Sequence, residues 1–444
     1  MNFLALPVSY ITIMNFRIII LLIFLIASSF TIYGQDIDIE EAEKIFKEYE
    51  EICKHDDGHL WGISLHGPLM FAEKESRTII ANTADKNGEL KKNNGVFCGI
   101  LPDSQGIANT TFHWNGLQWT MVMWPLSDNQ IERNQLIFHE CFHSTQVKLG
   151  INLLNTENPH LETKEGRTWL QLEWLALLKA LNCPNNIESI RDALIFRNYR
   201  RSFSPNSDST ENTLELLEGI PEYTGIKLSG RDSVETMEYF NEMVRTARDR
   251  ASFYRTFPYT SGPLYCFLIE QKDMDWRKYL LDIEDLGKYL KNICSINLPD
   301  DLKSEVEKRS TKYDVDKIIE LENFREEKIL VEKDKIISTF IHGHTLSLPI
   351  RKPNIEFSPL NMMAIDDKGT YYKTLRLVDV WGILDVEDGA FIEQNWSTVS
   401  VSANEMKQDS TNITGIGWNL KLNEGWELIS GGGKKVFLII EKSK

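Results

Sequence analysis

Two histidines four residues apart, with a glutamate directly after the first, stand in "IFHECFHSTQ" at residues 137–146. On an α-helix, positions i and i+4 lie one turn apart on the same face, so His139 and His143 can aim both imidazoles at one point. Two nitrogens then converge on one ion. Glu140 is offset from His139 by about 100°, at the rim of that face, where a carboxylate can take a proton from a metal-acidified water without ligating the metal. Phe138, Phe142 and Leu149 supply an apolar opposite face. The competing reading is a structural helix whose two histidines are satisfied by hydrogen bonds. With 9 His in 444 residues, chance produces such a motif in roughly one or two chains per hundred of this composition, which favours the chemical reading.

A zinc site needs a third protein ligand. Two acids qualify. Glu218 stands in "LELLEGIPEYTG", followed by Gly219 and, five positions on, by Tyr223. Glu173 stands in "TWLQLEWLALLKAL", a helix apolar nearly all round. A carboxylate buried there needs a partner: a metal, a histidine N–H, or an arginine such as Arg167.

HECFH followed later by EGIPEY resembles the gluzincin zinc peptidases, the thermolysin-like and aminopeptidase-like clan. In that clan a helix bearing HExxH supplies two histidines and a later helix supplies a glutamate. The resemblance is confined to about residues 130–270. It implies His139 and His143 as zinc ligands, Glu140 as general base and Glu218 as third ligand. Glu173 remains the alternative third ligand, a neighbour that fixes a ligand histidine through its other ring nitrogen, or a buried ion-pair residue without a chemical role. A three-ligand zinc keeps an open position, lowers the pKa of its water and polarises a bound carbonyl. Glu140 would remove the proton and return it to the leaving amine. The developing oxyanion calls for a further donor. The resemblance points first to Tyr259, in "TFPYTSGPLY", then to Tyr223, with Tyr254 and Tyr265 behind them; each is otherwise an aromatic packed at a helix end.

Around this centre the elements fall into blocks. Residues 36–54 read as a charged amphipathic helix. Residues 60–126 are β-rich, with turn signals at "DKNG", "PDSQG" and "WNG". Residues 130–325 carry helical spacing, and 300–337 read as a solvated helical connector. Residues 338–444 read as a separate antiparallel β domain. The expected fold is therefore α+β: a mostly helical, zincin-like catalytic region over 35–330, preceded by its β-rich part, plus the C-terminal β domain. By fold analogy the β-rich part roofs the cleft, with "WTMVMWPL" as an edge strand to which a peptide adds.

The composition is that of a globular chain: 42% hydrophobic and 26% charged residues, with 11 Trp and 21 Phe, exclude disorder for most of its length. A net charge of -16 argues against a nucleic-acid partner, and the basic run "FRNYRRSF" is short. Residues 1–34 read as a signal peptide: Arg17, then the apolar "IIILLIFLIASSF", then a cleavage zone near Gly34, with Met14 as a second start. An uncleaved anchor is the alternative; after cleavage no stable membrane span is expected. Export is expected, to the periplasm or the exterior.

Six scattered cysteines build no knuckle or redox motif. "HGH" at 342–344 lacks acids at ligand spacing, and His55, His59 and His66 cluster only in sequence. "NTT", "NWS" and "NIT" fit the glycosylation pattern. The expectation is an exported zinc metallopeptidase acting on peptides or proteins. Its rivals are a non-catalytic extracellular binding protein with a vestigial or structural metal site, and a zinc hydrolase acting on a non-peptide bond.

Overall fold

The computed structural model describes residues 37–151, 155–183, 185–357, 361–430 and 436–441; the expected signal peptide lies outside them. The fold is α+β. Helix α1, Ile39–Asp56, begins where the Asp38 side chain accepts from the backbone N–H of Glu40 and Glu41, satisfying two of the donors that every helix start leaves open. The run from Leu60 to Pro68 is a turn that passes into irregular chain, and strands begin only at Leu69.

Six strands follow: β1 (Leu69–Glu73), β2 (Thr78–Ala81), β3 (Lys91–Asn93), β4 (Val96–Ile100), β5 (Thr110–Trp114) and β6 (Leu117–Trp124), in the spatial order β3-β4-β2-β1-β6-β5. β1 and β6 pair in parallel, and the other neighbours are antiparallel. The sheet is covered on both faces. Phe71 and Val122 point into the main helical core, while Met70, Ala72, Trp119 and Met121 point into a smaller core behind. That explains why β1 is buried at every position instead of alternating.

The expectation that "WTMVMWPL" forms the edge is corrected. That segment is β6, and the Asn115–Gly116 turn, with φ of 45° and 81°, folds β5 back outside it as the edge strand. Asparagine and glycine tolerate those left-handed angles, which a two-residue hairpin turn requires.

Helix α2, Gln130–Leu149, carries the histidine motif. Asn129 caps its start, and Gly150, at φ 82°, ends it. Its hold on the sheet includes a hydrogen bond between the hydroxyls of Ser144 and Thr120 at 2.8 Å. Next come α3 (Lys164–Asn182), α4 (Ile187–Arg201), α5 (Ser207–Leu214), a π-helical turn at Glu215–Gly219, α6 (Ile220–Leu228), α7 (Ser233–Arg248) and α8 (Pro258–Lys272). Beyond them lie α9 (Leu286–Ile293), α10 (Leu302–Ser310) and α11 (Val315–Ile336), the last two occupying the expected connector. Among the described residues no helix is long and apolar enough to cross a membrane.

The C-terminal part holds two sheets. One runs β18-β19-β7-β14-β13-β10-β9, the other β15-β16-β17-β12-β11-β8. β7 is Thr345–Pro349, β8 Asn354–Phe357, β9 Met362–Ile365, β10 Gly369–Tyr372 and β11 Leu375–Asp379. β12 is Gly382–Val386, β13 Ala390–Glu393, β14 Thr398–Ser402, β15 Lys407–Asp409 and β16 Asn412–Gly415. β17 is Trp418–Leu422, β18 Trp426–Ser430 and β19 Val436–Glu441. Alternating burial in β11, β12 and β17 turns one face inward, and Leu377, Leu384 and Leu420 share a single core with Leu346, Val399 and Val401 of the other sheet. This is a sandwich. It is not wholly antiparallel as expected: the hairpin of β18 and β19 returns to lay β19 parallel to β7.

Two glycines set how closely the helical elements approach. A Cβ on Gly262 of α8 would lie 2.4 Å from the Cα of Gly219, and one on Gly219 would lie 2.8 Å from the Cα of Gly262. No side chain can yield there, because backbone meets backbone. Gly262→Ala is expected to lower stability by at least the ~1–3 kcal/mol typical of overpacking. A calorimetric melting curve superimposable on that of the unaltered protein would rule out this packing.

Candidate metal centre

His139, His143 and Glu218 come together: one ligand atom from each lies within 4.8 Å of the others, the one such group of three among the described residues. The Nε2 atoms of the two histidines are 3.2 Å apart. Glu218 Oε2 lies 3.7 Å from the first and 3.5 Å from the second. Three donors about 2.0–2.1 Å from a tetrahedral ion stand about 3.3 Å from one another, so these spacings fit one ion at their centre.

The hydrogen bonds behind the ligands decide where the lone pairs point. His139 Nδ1 lies 2.9 Å from Glu222 Oε2, and an ionised carboxylate only accepts, so Nδ1 carries the proton. His143 Nδ1 lies 2.9 Å from Gln146 Oε1. The amide of Gln146 is oriented by its Nε2, which donates to the carbonyls of Leu216 and Leu217 at 3.2 and 3.0 Å. In their neutral forms both histidines therefore turn the lone pair of Nε2 to the same point, beside a carboxylate. Three lone pairs facing one another repel unless a cation or a proton sits among them.

Glu222 is itself held, by Gln135 Nε2 at 2.6 Å and the Tyr239 hydroxyl at 3.3 Å. Sequence reasoning missed Glu222, although a signal was there. It follows Glu218 by four positions in "EGIPE", about 40° around a helix and hence on the same face. Gln146 follows His143 by three and was equally legible.

Glu140 borders the cleft beside the three ligands. Burial raises the pKa of its carboxyl above the usual range, against the opposing pull of His139 and His143. That direction suits a base that must also release its proton. Tyr259 stacks on His139, ring centroids 5.6 Å apart, and its hydroxyl donates to Glu218 Oε2 at 2.8 Å. Burial and the charge of Glu218 hold the phenol well above its ordinary pKa, so it keeps its proton.

The tyrosines ranked behind Tyr259, and Glu173 with the arginine offered to it, are engaged elsewhere. Tyr223 is fully buried, its ring packed edge-on against Trp61, Trp276 and Phe267, and its hydroxyl accepts from Arg277 at 2.7 Å. Five positions from Glu218 is about 140° around a helix, which turns it away from the ligands. Of the three readings of Glu173 the structure shows the buried ion-pair residue and not the ligand: it accepts from Arg197 at 3.1 Å, Arg200 at 2.6 Å and the Tyr265 hydroxyl at 2.7 Å. Arg167, offered as its partner, bonds Glu322 instead at 2.8 Å. Tyr254 belongs to the core of the sandwich. "HGH" joins no ligand group among the described residues, and the six cysteines are free.

Glu173 belongs to a buried ionic network that braces the site from behind. Arg197 grips Glu215, in the π-helical turn, through both oxygens at 2.8 and 2.5 Å. Glu211 of α5 accepts from Arg200, Arg201 and His160, each at 2.7 Å. These charges are almost wholly out of water, so removing one partner strands another, at a cost of about 3–5 kcal/mol. Glu218 lies three residues after Glu215. The π turn, an irregularity frequent at functional sites, is thus pinned on both sides of the ligand by Arg197 and by the Gly219–Gly262 contact.

Burial opposes protonation of His139, but Glu218, Glu222 and Glu140 outweigh it, raising its pKa from 6.5 to about 10 in the protein without metal. The proton's stabilising contribution is thus full below 6.5 and fades as pH rises through about 10. A metal must displace that proton, so affinity for a divalent ion is expected to climb between about pH 7 and about pH 9. Glu222→Ala should weaken metal binding by roughly 10- to 100-fold. Titration calorimetry with zinc reads both; flat affinity across that range, or an unaltered Glu222 variant, would contradict the assignment. Searches for likeness returned no matching family model, no matching curated protein and no matching solved structure.

Proposed function

We propose that this chain is an exported zinc-dependent metallopeptidase of gluzincin type. The observation that carries the reading is the convergence of two imidazole Nε2 atoms and a carboxylate, with Glu140 beside them in the same cleft. His139, His143 and Glu218 would hold the zinc. Bound there, zinc would acidify a water and polarise a carbonyl.

Glu140 takes the proton from the attacking water on a carboxylate oxygen and passes it to the nitrogen of the leaving amine. Its burial keeps the basic form reactive and the returned proton available. The Tyr259 hydroxyl, now turned to Glu218, supplies the donor for the carbonyl oxygen as charge develops on it. Glu222 and Gln146 hold the two imidazoles in the tautomer and orientation the site needs.

A peptide suits the cleft. Its volume is about 1160 Å³, beyond the roughly 300–1,000 Å³ common for small-molecule pockets. Thr110 and Thr111 of the edge strand β5 line it. An extended substrate can therefore add its backbone to that edge by main-chain hydrogen bonds, which grip any sequence and leave selectivity to side-chain contacts.

Glu140→Gln is expected to bind one zinc per chain as the unaltered protein does and to lose peptide cleavage by about 10²- to 10⁴-fold. Metal content and turnover of a mixed peptide library, read by mass spectrometry, check it. Undiminished turnover in the variant excludes Glu140 as the base; stoichiometric zinc without any cleavage by the unaltered protein favours the binding-protein rival.

A further inference from the structure

We infer that Arg255, backed by Phe357 of the C-terminal sandwich, is a specificity residue that receives a carboxylate of the substrate near the scissile bond. This rests on the peptidase reading above.

Arg231 and Arg255 are the two arginines that line the cleft. The guanidinium of Arg231 lies over the Tyr239 ring at 4.1 Å, against the phenol that braces Glu222. Arg255 differs. Its guanidinium lies over the Phe357 ring, 5.5 Å from the centroid, and among the described residues its side chain makes no ion pair and no hydrogen bond. Glu157 shares its neighbourhood around Tyr254 and Tyr372 but does not pair with it. Other acids of the cleft are engaged: Glu132 by Ser127, Glu242 by Arg245 and Glu222 by His139. An arginine stacked on an aromatic face keeps its planar fork of N–H donors free at the edge, a shape that matches a carboxylate.

Its position is fixed before any ligand arrives. Glu162 accepts from the backbone N–H of Phe253 and Tyr254 at 2.6 and 2.9 Å, and Tyr254 is anchored in the sandwich core. Phe257 N–H donates to the Phe253 carbonyl at 3.3 Å, closing a helical turn around Arg255. Arg255 precedes Tyr259 by four residues, about 6 Å along a helix. At about 3.3 Å per extended residue, the carboxylate it meets belongs to a position within two or three residues of the bond that is cut.

β8 provides the wall behind. Asn354 Nδ2 donates to the Ser104 carbonyl at 3.5 Å, and the Glu356 carboxylate packs on Gly106, where a Cβ would lie 2.4 Å from its Oε1. The strand therefore touches both the approach to β5 and the segment before Tyr259. Through Phe357 the sandwich takes part in the wall of the cleft.

A carboxylate can come from an Asp or Glu side chain or from the C-terminus of the peptide. The test uses zinc-loaded full-length protein and peptide pairs that differ only in charge: Glu against Gln at each position, and free against amidated C-terminus. Cleavage is followed with the unaltered chain, and binding with Glu140→Gln. The acid-bearing member of one class should be favoured by roughly 10- to 100-fold, the range of one charge-assisted pair, mainly through KM. The favoured class identifies the source. Arg255→Met should abolish the preference, and Arg255→Lys should recover part of it. Equal binding and cleavage of the paired peptides overturns the inference while leaving the peptidase intact, as does a preference that survives Arg255→Met. Selective binding without cleavage by the unaltered chain, lost in Arg255→Met, keeps Arg255 as the carboxylate receptor and removes the peptidase.

Discussion

Three electron-rich atoms are forced to share one small volume, and almost every other feature near the cleft follows from that. Two imidazole nitrogens 3.2 Å apart, with a carboxylate oxygen facing both, are a repulsive cluster unless positive charge lies between them. The fold maintains it through bonds on the far side of each ring. Glu222 and Gln146 set the tautomers; Gln135, Tyr239 and the carbonyls of Leu216 and Leu217 hold those two in turn. Each ring is thus hydrogen-bonded on its far side, which keeps its Nε2 turned to the shared point.

The position of Glu218 relies on a different kind of constraint. Arg197 and Arg200 are among the largest side chains fully withdrawn from water. They are stable there because Glu173, Glu211 and Glu215 are withdrawn with them. Replacing such a cluster by apolar residues can be neutral for stability. What an apolar replacement lacks is directionality: Arg197 holds Glu215 through both oxygens, in the same π turn that carries Glu218.

How much of this was legible in the sequence depended on how local the determinant is. The histidine motif and its glutamate are written within one helical turn, and helix periodicity alone brings their side chains to one face. Glu218 and Glu222 are likewise one turn apart, and the same arithmetic that put His139 beside His143 would have found the second acid and turned Tyr223 away. The partners of Glu173 could not be read in that way. Arg197 and Arg200 sit 24 and 27 residues downstream, on a helix whose packing against α3 no spacing rule specifies. Strand identity in the first sheet was readable from turn signals, but strand order was not: whether β5 or β6 takes the edge depends on the parallel partnership of β1 and β6, whose register partners, such as Leu69 and Thr120, stand far apart in the chain. The contribution of Phe357 to the cleft is farther still, since it requires the docking of a sandwich against the helical region.

The contact between Gly219 and Gly262 has a dynamic corollary. Backbones that touch without intervening side chains cannot slide past one another in small steps, because there are no rotamers to absorb the movement. The turn that bears Glu218 and the helix that bears Tyr259 must consequently travel as one solid piece. Any breathing of the cleft then falls to the opposite rim, where the β8 strand of the sandwich meets the approach to β5 through a long amide contact and a carboxylate resting on Gly106.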